Sequence, residues 1–475
     1  MKLNVETFDM LCSGLPVSRL PQAFRDAILV TKALGIQYLW IDALCILQDG
    51  IDDFHRECAQ MSEIYAMSSC NIVATFGGSP HESFFRQRCF ESLEIGRRAD
   101  PSALDAIAPE EYTEAELHDS GVFSRGWIMQ ELLLAPRTLL FGENQVHWKC
   151  AELEACEVWP AGVPHRLSTI IDSGFSKMSF TGNGAFVNWT QIVQRYSKLS
   201  LSKEKDKLLA LSGIAKFVQR QSGDQYFAGH WKSAFLYSLL WVPGQVILTR
   251  QRFSRALDER PSYCRYPNYV APSWSWASIK GPVRYSHWPL PEHKDDTSAE
   301  SMGPFRIHDA LSSIESISLE SVDKDAEDVL GLVVGGQLII RSPLVSKQQF
   351  QHSLSMLPNS PLESGPVGKL CMQDNVWWRW DTEAHASQAS TFLTTILVER
   401  FRDDSWFTLV GLMLVPTNIE NAFTFTREGL FRLDFGNGNM AMCKAALDAA
   451  GLEFVNGEGG AVRAKESALE TLVIL

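Results

Sequence analysis

Between Leu20 and Gly78 the apolar positions change period three times. From Leu20-Pro21 onward, Phe24, Ile28, Thr31 and Leu34 fall on one helical face, and Gly35 is placed to stop the helix. Ile36 to Ile41 is then almost continuously apolar, the pattern of a strand buried on both faces. That strand ends on Asp42, and a polar loop with Cys45, Gln48 and Asp49 follows. Asp52 can cap a second helix, whose inward stripe is Phe54, Cys58, Met61, Ile64 and Tyr65, with Glu57 on its edge. Asn71 to Phe76 reads as the next strand, closed by Gly77-Gly78. A helix between two apolar strands is the grammar of a βαβ crossover in a parallel sheet. Open sheets of that kind place their sites at the carboxyl ends of strands, which here means Asp42 and its loop.

Residues 79–120 lose this rhythm and read as a polar insertion, acidic from Pro109 to Glu116. Order returns at Ser124: a capped helix, a break at Pro136, then strands Thr138–Phe141 and Gln145–Trp148 around a Gly-Glu-Asn turn. Residues 157–182 resemble a linker, and Trp189 to Val218 is helical again. Tyr226 to Leu240 is amphipathic and aromatic-rich, and Ala271 to Ile279 is compact and aromatic. After Pro282, short strands recur at Leu330–Val334, Gln337–Arg341, Thr391–Glu399, Thr408–Val415 and Phe423–Leu433, predicting a mainly β region.

Composition adds limits. The 475 residues suffice for two or three domains, and 45% hydrophobic against 21% charged is an ordinary globular balance. A formal charge of −13 disfavours nucleic acid and anionic membrane surfaces as partners. The ten cysteines include no C-x-x-C pair, and the opening MKLNVETFDM lacks an apolar signal core, so the thiols are read as reduced and the compartment as cytoplasmic. No stretch is apolar for long enough to predict a membrane span. No metal-ligand spacing, no Walker A loop and no G-x-G-x-x-G occurs, and the glycine pairs Gly182/Gly184 and Gly457/Gly459 are isolated; no cofactor is expected.

The ordered motifs resemble the fungal heterokaryon-incompatibility (HET) domain family. Leu20-Pro21 with Asp26-Ala27-Ile28 matches its first helix. Tyr38 to Asp49 (YLWIDALCILQD) matches its strand and loop, and Glu57, Met61, Ile64 and Tyr65 match its second helix. Arg125, Trp127, Gln130, Glu131 and Leu134 match its R-x-W-x-x-Q-E-x-x-L block, followed by Gln145 and Trp148. Tyr196-Ser197, Asp206 to Leu208, Ala210 to Ala215 and the APSWSWAS block at Ala271 to Ser278 resemble segments downstream of the HET core. The family's opening strand, Y-x-A-L-S-Y-x-W-G, has no counterpart here. The resemblance therefore implies a TIR- or flavodoxin-like parallel sheet without its first strand, then a helical and aromatic segment and a mainly β region. The corresponding division is 1–160, 161–285 and 286–475.

The resemblance implies a cell-death effector in self/non-self recognition between fungal cells. By analogy with TIR domains, some of which cleave NAD using one glutamate, it implies a nucleotide N-glycosidase with an NAD-like substrate. Glu57 is the candidate catalytic carboxylate, because desolvation at the edge of an apolar stripe would raise its pKa; pairing with Arg25 or Arg56 is the structural alternative. Asp42, Gln48, Asp49, Arg125, Trp127, Gln130 and Glu131 are the candidate substrate contacts. Each has an ordinary alternative: loop cap for Asp42, turn former for Gln48 and Asp49, salt bridge for Arg125, core packing for Trp127 and Trp40. Gln130 and Glu131 are adjacent on one helix, diverge by ~100° and cannot both face one site. A Cys45–His55 nucleophile is weighed against a buried structural thiol, the commoner state of free cysteine. The competing function is a non-catalytic scaffold that works through protein partners or self-association.

Overall fold

The computed structural model describes residues 1–75, 79–86, 121–143, 145–163, 180, 182–244, 264–285, 306–321, 331–355, 376–381, 391–401, 407–417, 423–435, 440–455 and 462–475. The chain divides into two compact units, one formed by Met1–Phe180 with Leu199–Gln221, the other by Thr181–Lys198 with Ser222–Leu475. Most of the expected insertion at 79–120 and of the linker at 157–182 lies outside the described residues, as do Glu110, Glu111, Gly457 and Gly459.

The first unit is mixed α/β. Helix α1 (Gln22–Ala33) follows Pro21 and ends where Gly35 takes φ +70°, a conformation that favours glycine. Its buried face includes Asp26, Ala27, Val30 and Thr31. The Asp26 carboxylate accepts from Gln22 Nε2 (2.7 Å), Ser83 Oγ (2.6 Å) and the Phe84 amide (3.1 Å), so it ties the 79–86 loop to α1. A short helix α2 (Asp42–Cys45) and the long helix α3 (Ile51–Ala66) come next. Strand β1 (Asn71–Ala74), helix α4 (Ile128–Leu134), and strands β2 (Arg137–Phe141), β3 (Val146–Cys150) and β4 (Glu154–Cys156) complete the core, with helix α5 (Asp206–Ser222) added from further along the chain.

Among the described residues these strands form one sheet in the order β1-β2-β3-β4. β1 and β2 are parallel, with Asn71 opposite Thr138, and the other two pairings are antiparallel. The sheet is therefore mixed rather than wholly parallel. Neighbouring residues of β1 point to opposite faces, as the strand period requires. Ile72 and Ala74 join Ala27, Val30, Phe84 and Phe141 on the α1 side, whereas Val73 joins Ile128, Leu132 and Leu140 on the α4 side.

One expected element is corrected. Ile36 to Ile41 forms no regular strand, and Tyr38 is 87% exposed. Asp42 consequently opens helix α2 instead of closing a strand. Apolar composition alone does not make a strand; its backbone needs a bonded neighbour, and none lies along this segment among the described residues.

The second unit is mainly β. Strands β5 (Arg306–Ala310), β6 (Ser313–Ser321), β7 (Val333–Ser346), β8 (Val376–Trp380), β9 (Phe392–Phe401), β10 (Phe407–Pro416), β11 (Thr424–Phe435) and β12 (Leu469–Ile474) share one sheet. The order is β5-β9-β10-β11-β12-β7-β6, with β8 on β11, and β7 also pairs β9, which closes the path into a barrel. The strands expected at Leu330–Val334 and Gln337–Arg341 are one strand, β7: Gly335 and Gly336 do not break it. At Gly336 a side chain would strike Pro272 and Leu319, so the glycine reflects close packing.

Among the described residues of this unit, Trp189, Trp241 and Trp276 are buried with their indole N–H groups engaged, whereas the buried indole N–H groups of Trp231 and Trp274 find no partner. Trp189 and Trp276 both donate to the Gly229 carbonyl, at 2.9 and 3.1 Å, and Trp241 donates to the Trp274 carbonyl at 3.0 Å. Arg427 lies over the Trp241 ring at 3.6 Å, and its Nε donates to Asp381 at 3.1 Å with both side chains fully buried.

Candidate functional site

Four groups of the first unit form one electrostatic cluster. Glu131, in the first turn of α4, accepts a hydrogen bond from the Tyr65 hydroxyl near the end of α3. The Arg125 guanidinium and the Asp42 carboxylate both act on this pair. Asp42 and Arg125 are exposed, while Tyr65 and Glu131 are half-buried yet densely surrounded. Two exposed charged groups thus act on a desolvated carboxyl–phenol pair.

The local folding is well determined. α3 packs against α4, which sets Tyr65 beside Glu131. Asn71 Nδ2 donates to the Glu131 carbonyl at 3.0 Å, anchoring α4 to the start of β1. Arg125 sits in a backbone bridge with Ser200: Ser200 donates to the Ser124 carbonyl (2.6 Å) and Gly126 to the Ser200 carbonyl (2.7 Å). A side chain on Gly126 would meet the Leu201 side chain, which would have to shift. On the far side of α4, Gln130 is buried against Gly213 of α5, where an added methyl would lie 2.7 Å from Gln130 Oε1 and 2.6 Å from Ser62 Cβ. Gln130 and Glu131 thus face opposite environments, as their helical spacing dictates.

Desolvation dominates the electrostatics. Burial raises the Glu131 carboxyl, and Asp42 adds to this, while Arg125 and the Tyr65 hydrogen bond oppose it; the outcome is about 7. Burial, then the Glu131 and Asp42 carboxylates, pushes the Tyr65 phenol far above its usual range, so it remains a hydrogen-bond donor. A carboxyl group near 7 exchanges protons readily at neutral pH, which is what acid–base chemistry requires.

The other sequence candidates have different surroundings. Glu57 is half-buried, its carboxylate 3.8 Å from Arg56 Nε, and it acts on Cys45 and Cys58. Asp42 Oδ1 accepts from the Ala43 amide (2.7 Å), a turn-capping bond that leaves its other oxygen for a ligand. Asp49 accepts from the Val5 amide (3.1 and 3.3 Å), and the Gln48 side chain donates to the carbonyls of Ile46 (3.0 Å) and Asp42 (3.3 Å). Both therefore brace the loop, which is further clasped by the Leu3 amide donating to the Ala43 carbonyl and the Gln48 amide donating to the Leu3 carbonyl. Trp127 is half-buried at the start of α4. Trp40 meets the Tyr65 ring edge-on at 5.7 Å.

The Cys45 thiol is pushed up by burial and by the Asp42 and Glu57 charges, the reverse of nucleophile activation. The His55 side chain lies outside the described residues. Among the described residues no three His, Cys, Asp or Glu side chains form a metal-binding group, and no helix is long and apolar enough to cross a membrane.

Residues 3–131 match the family described as Heterokaryon incompatibility protein (HET). The match takes in Asp42, Tyr65 and Arg125, and its last residue is Glu131. This part of the chain belongs to the HET family. No curated protein and no solved structure matches the chain. The HET domain therefore contains the whole four-residue cluster. Tyr65, placed by sequence among the core-facing residues, is the member that pattern reading missed; its position four residues after Met61 on an amphipathic helix signalled packing, and its hydroxyl alone signalled more.

Proposed function

We propose that this chain is a fungal incompatibility effector whose HET domain cleaves the nicotinamide–ribose bond of NAD or a related nucleotide in the cytoplasm. The observation that carries this is the Tyr65–Glu131 pair, with a carboxyl group near 7 between an exposed cation and an exposed anion. Glu131 takes the catalytic role that sequence pattern gave to Glu57. Ionised Glu131 and Asp42 supply negative charge to the oxocarbenium-like transition state. Glu131 also receives the proton as water oxygen bonds to the anomeric carbon and the carbon–nitrogen bond to nicotinamide breaks. The products are nicotinamide and the ADP-ribose-type nucleotide. Arg125 pairs with a substrate phosphate, Tyr65 holds the Glu131 carboxylate in position, and Trp40 offers a ring face. An analogy between the HET family and TIR domains, drawn from sequence alone, motivates this reading.

A scaffold role is favoured by one observation: Gln48 and Asp49 are engaged within the loop rather than held for a ligand. Expression of the chain in a fungal host separates the readings. Growth arrest with falling NAD, both abolished by Glu131→Gln, supports hydrolysis. Growth arrest that survives Glu131→Gln with NAD unchanged supports assembly with protein partners or with further copies of the chain.

A further inference from the structure

The chain passes from the second unit to the first between Lys198 and Leu199, and it is anchored on each side of that junction. On the second-unit side, the helix Gly182–Tyr196 buries Trp189, Ile192, Val193 and Tyr196. The next residue, Ser197, is buried, and its hydroxyl accepts from the Val283 amide at 2.9 Å. Val283 opens a strand, Val283–Tyr285, that pairs with Trp241–Pro243, so Ser197 is rooted in that unit's core. On the first-unit side, Leu199 packs against the core of Val73, Ile128, Leu132 and Leu140. Ser200 runs parallel to Arg125: its amide donates to the Ser124 carbonyl at 2.6 Å, and its carbonyl accepts from the Gly126 amide at 2.7 Å. The two bonds flank Arg125 and fix its backbone.

Leu199–Gln221 lies beyond the stretch that matches the HET family, yet it holds the cation of the cluster. Ser200 is three residues after Ser197, a span of at most about 11 Å when fully extended. We propose that residues 197–200 are a tether through which the second unit sets the place of Arg125, with Ser200 as a positioning residue for the site. The tether bears on the cluster that the proposed reaction uses, and it holds or fails independently of whether NAD is the substrate. Attraction between the Arg125 guanidinium and the Glu131 carboxylate falls with their separation, so a shift of the Arg125 backbone reaches Glu131. A ligand or protein bound to the second unit that moves Ser197 thereby changes the acid at the site.

Titration of Glu131 in the 475-residue chain, followed by NMR of side-chain-labelled glutamate without substrate, tests this. The link is lengthened by inserting Gly-Ser-Gly-Ser after Lys198, which is exposed. Two substitutions release its ends separately: Ser197→Ala removes the acceptor of the Val283 amide, and Ser200→Pro removes the amide bonded to the Ser124 carbonyl. Each change should raise the pH at which Glu131 titrates by about half a unit or more, because the pull of Arg125 is weakened. In an Arg125→Gln background the insertion should add nothing, the non-additivity expected of changes that act through one residue. The insertion decides the matter if either substitution unfolds the chain. Two results overturn the proposal. One is a lengthened chain, folded by far-UV circular dichroism, in which Glu131 titrates as in wild type. The other is an upward shift from the insertion that persists undiminished in Arg125→Gln, which places its action elsewhere.

Discussion

The Tyr65 hydroxyl donates to the Glu131 carboxylate, joining the second long helix of the HET domain to the helix that precedes β2. The bond matters because burial pushes the Glu131 carboxyl up to about 7 and the Tyr65 hydroxyl opposes that rise. The neighbours of this carboxyl pull in opposite directions, and each pull can be removed by a single substitution.

Asp42→Asn removes a charge that raises the Glu131 pKa, so the variant should titrate below about 7. Arg125→Gln and Tyr65→Phe each remove an influence that lowers it, so both should titrate above about 7. NMR of side-chain-labelled glutamate in the purified chain measures this directly, without reference to turnover. Equal titration in all four proteins would mean that the cluster is not coupled.

The same proton links to stability. Glu131 binds its proton more tightly in the fold than in the unfolded chain, where the carboxyl has its usual value near 4.5. Its contribution is therefore complete below about 4.5 and disappears as the pH rises through about 7. Glu131→Gln, which cannot ionise, should stabilise the first unit at pH 8 relative to wild type, by on the order of 1 to 3 kcal/mol, with little gain at pH 5. Denaturant unfolding at the two pH values checks the sign.

Asp26 holds three donors around a buried carboxylate. Asp26→Ala should cost about 1–3 kcal/mol, because Ser83 and the Phe84 amide lose their acceptor in a buried setting. Limited proteolysis should find the 79–86 loop opened in this variant, and an unchanged cleavage pattern would show that the loop is held by other means.

In the second unit, Arg427→Met leaves the buried Asp381 carboxylate facing Arg265 at 3.9 Å alone and removes the donor to the Leu239 and Trp241 carbonyls. The expected loss is about 3–5 kcal/mol. Arg427→Met with Asp381→Leu removes both charges and should recover part of that loss. Thermal unfolding of the single and double variants measures the difference.

Much of the first unit is legible as pattern. Helices α1 and α3, the strand after Asn71, the helix before Pro136 and the β2-β3 hairpin all follow from periodicity and from the placement of Gly and Pro. Ile36 to Ile41 is the instructive exception. Its composition is that of a strand, but strand formation is settled by what lies alongside, which local sequence does not encode. At the site, Arg125, Glu131 and Asp42 are brought together from three separate motifs. Asp49 shows why residue type alone misleads: a loop carboxylate serves a backbone amide as readily as a ligand, and here Val5 occupies it. Tyr65 misled in the other direction, since its ring packs on the core side while its hydroxyl reaches the site.

The direct test of the account is release of nicotinamide from NAD by the purified 475-residue chain, followed across pH 5–9. The account predicts turnover that rises with an apparent pKa near 7, as Glu131 ionises, and that falls at least a hundredfold in Glu131→Gln while Glu57→Gln retains most of it. Release that is unchanged in Glu131→Gln, or absent from the wild-type chain at every pH, would contradict it.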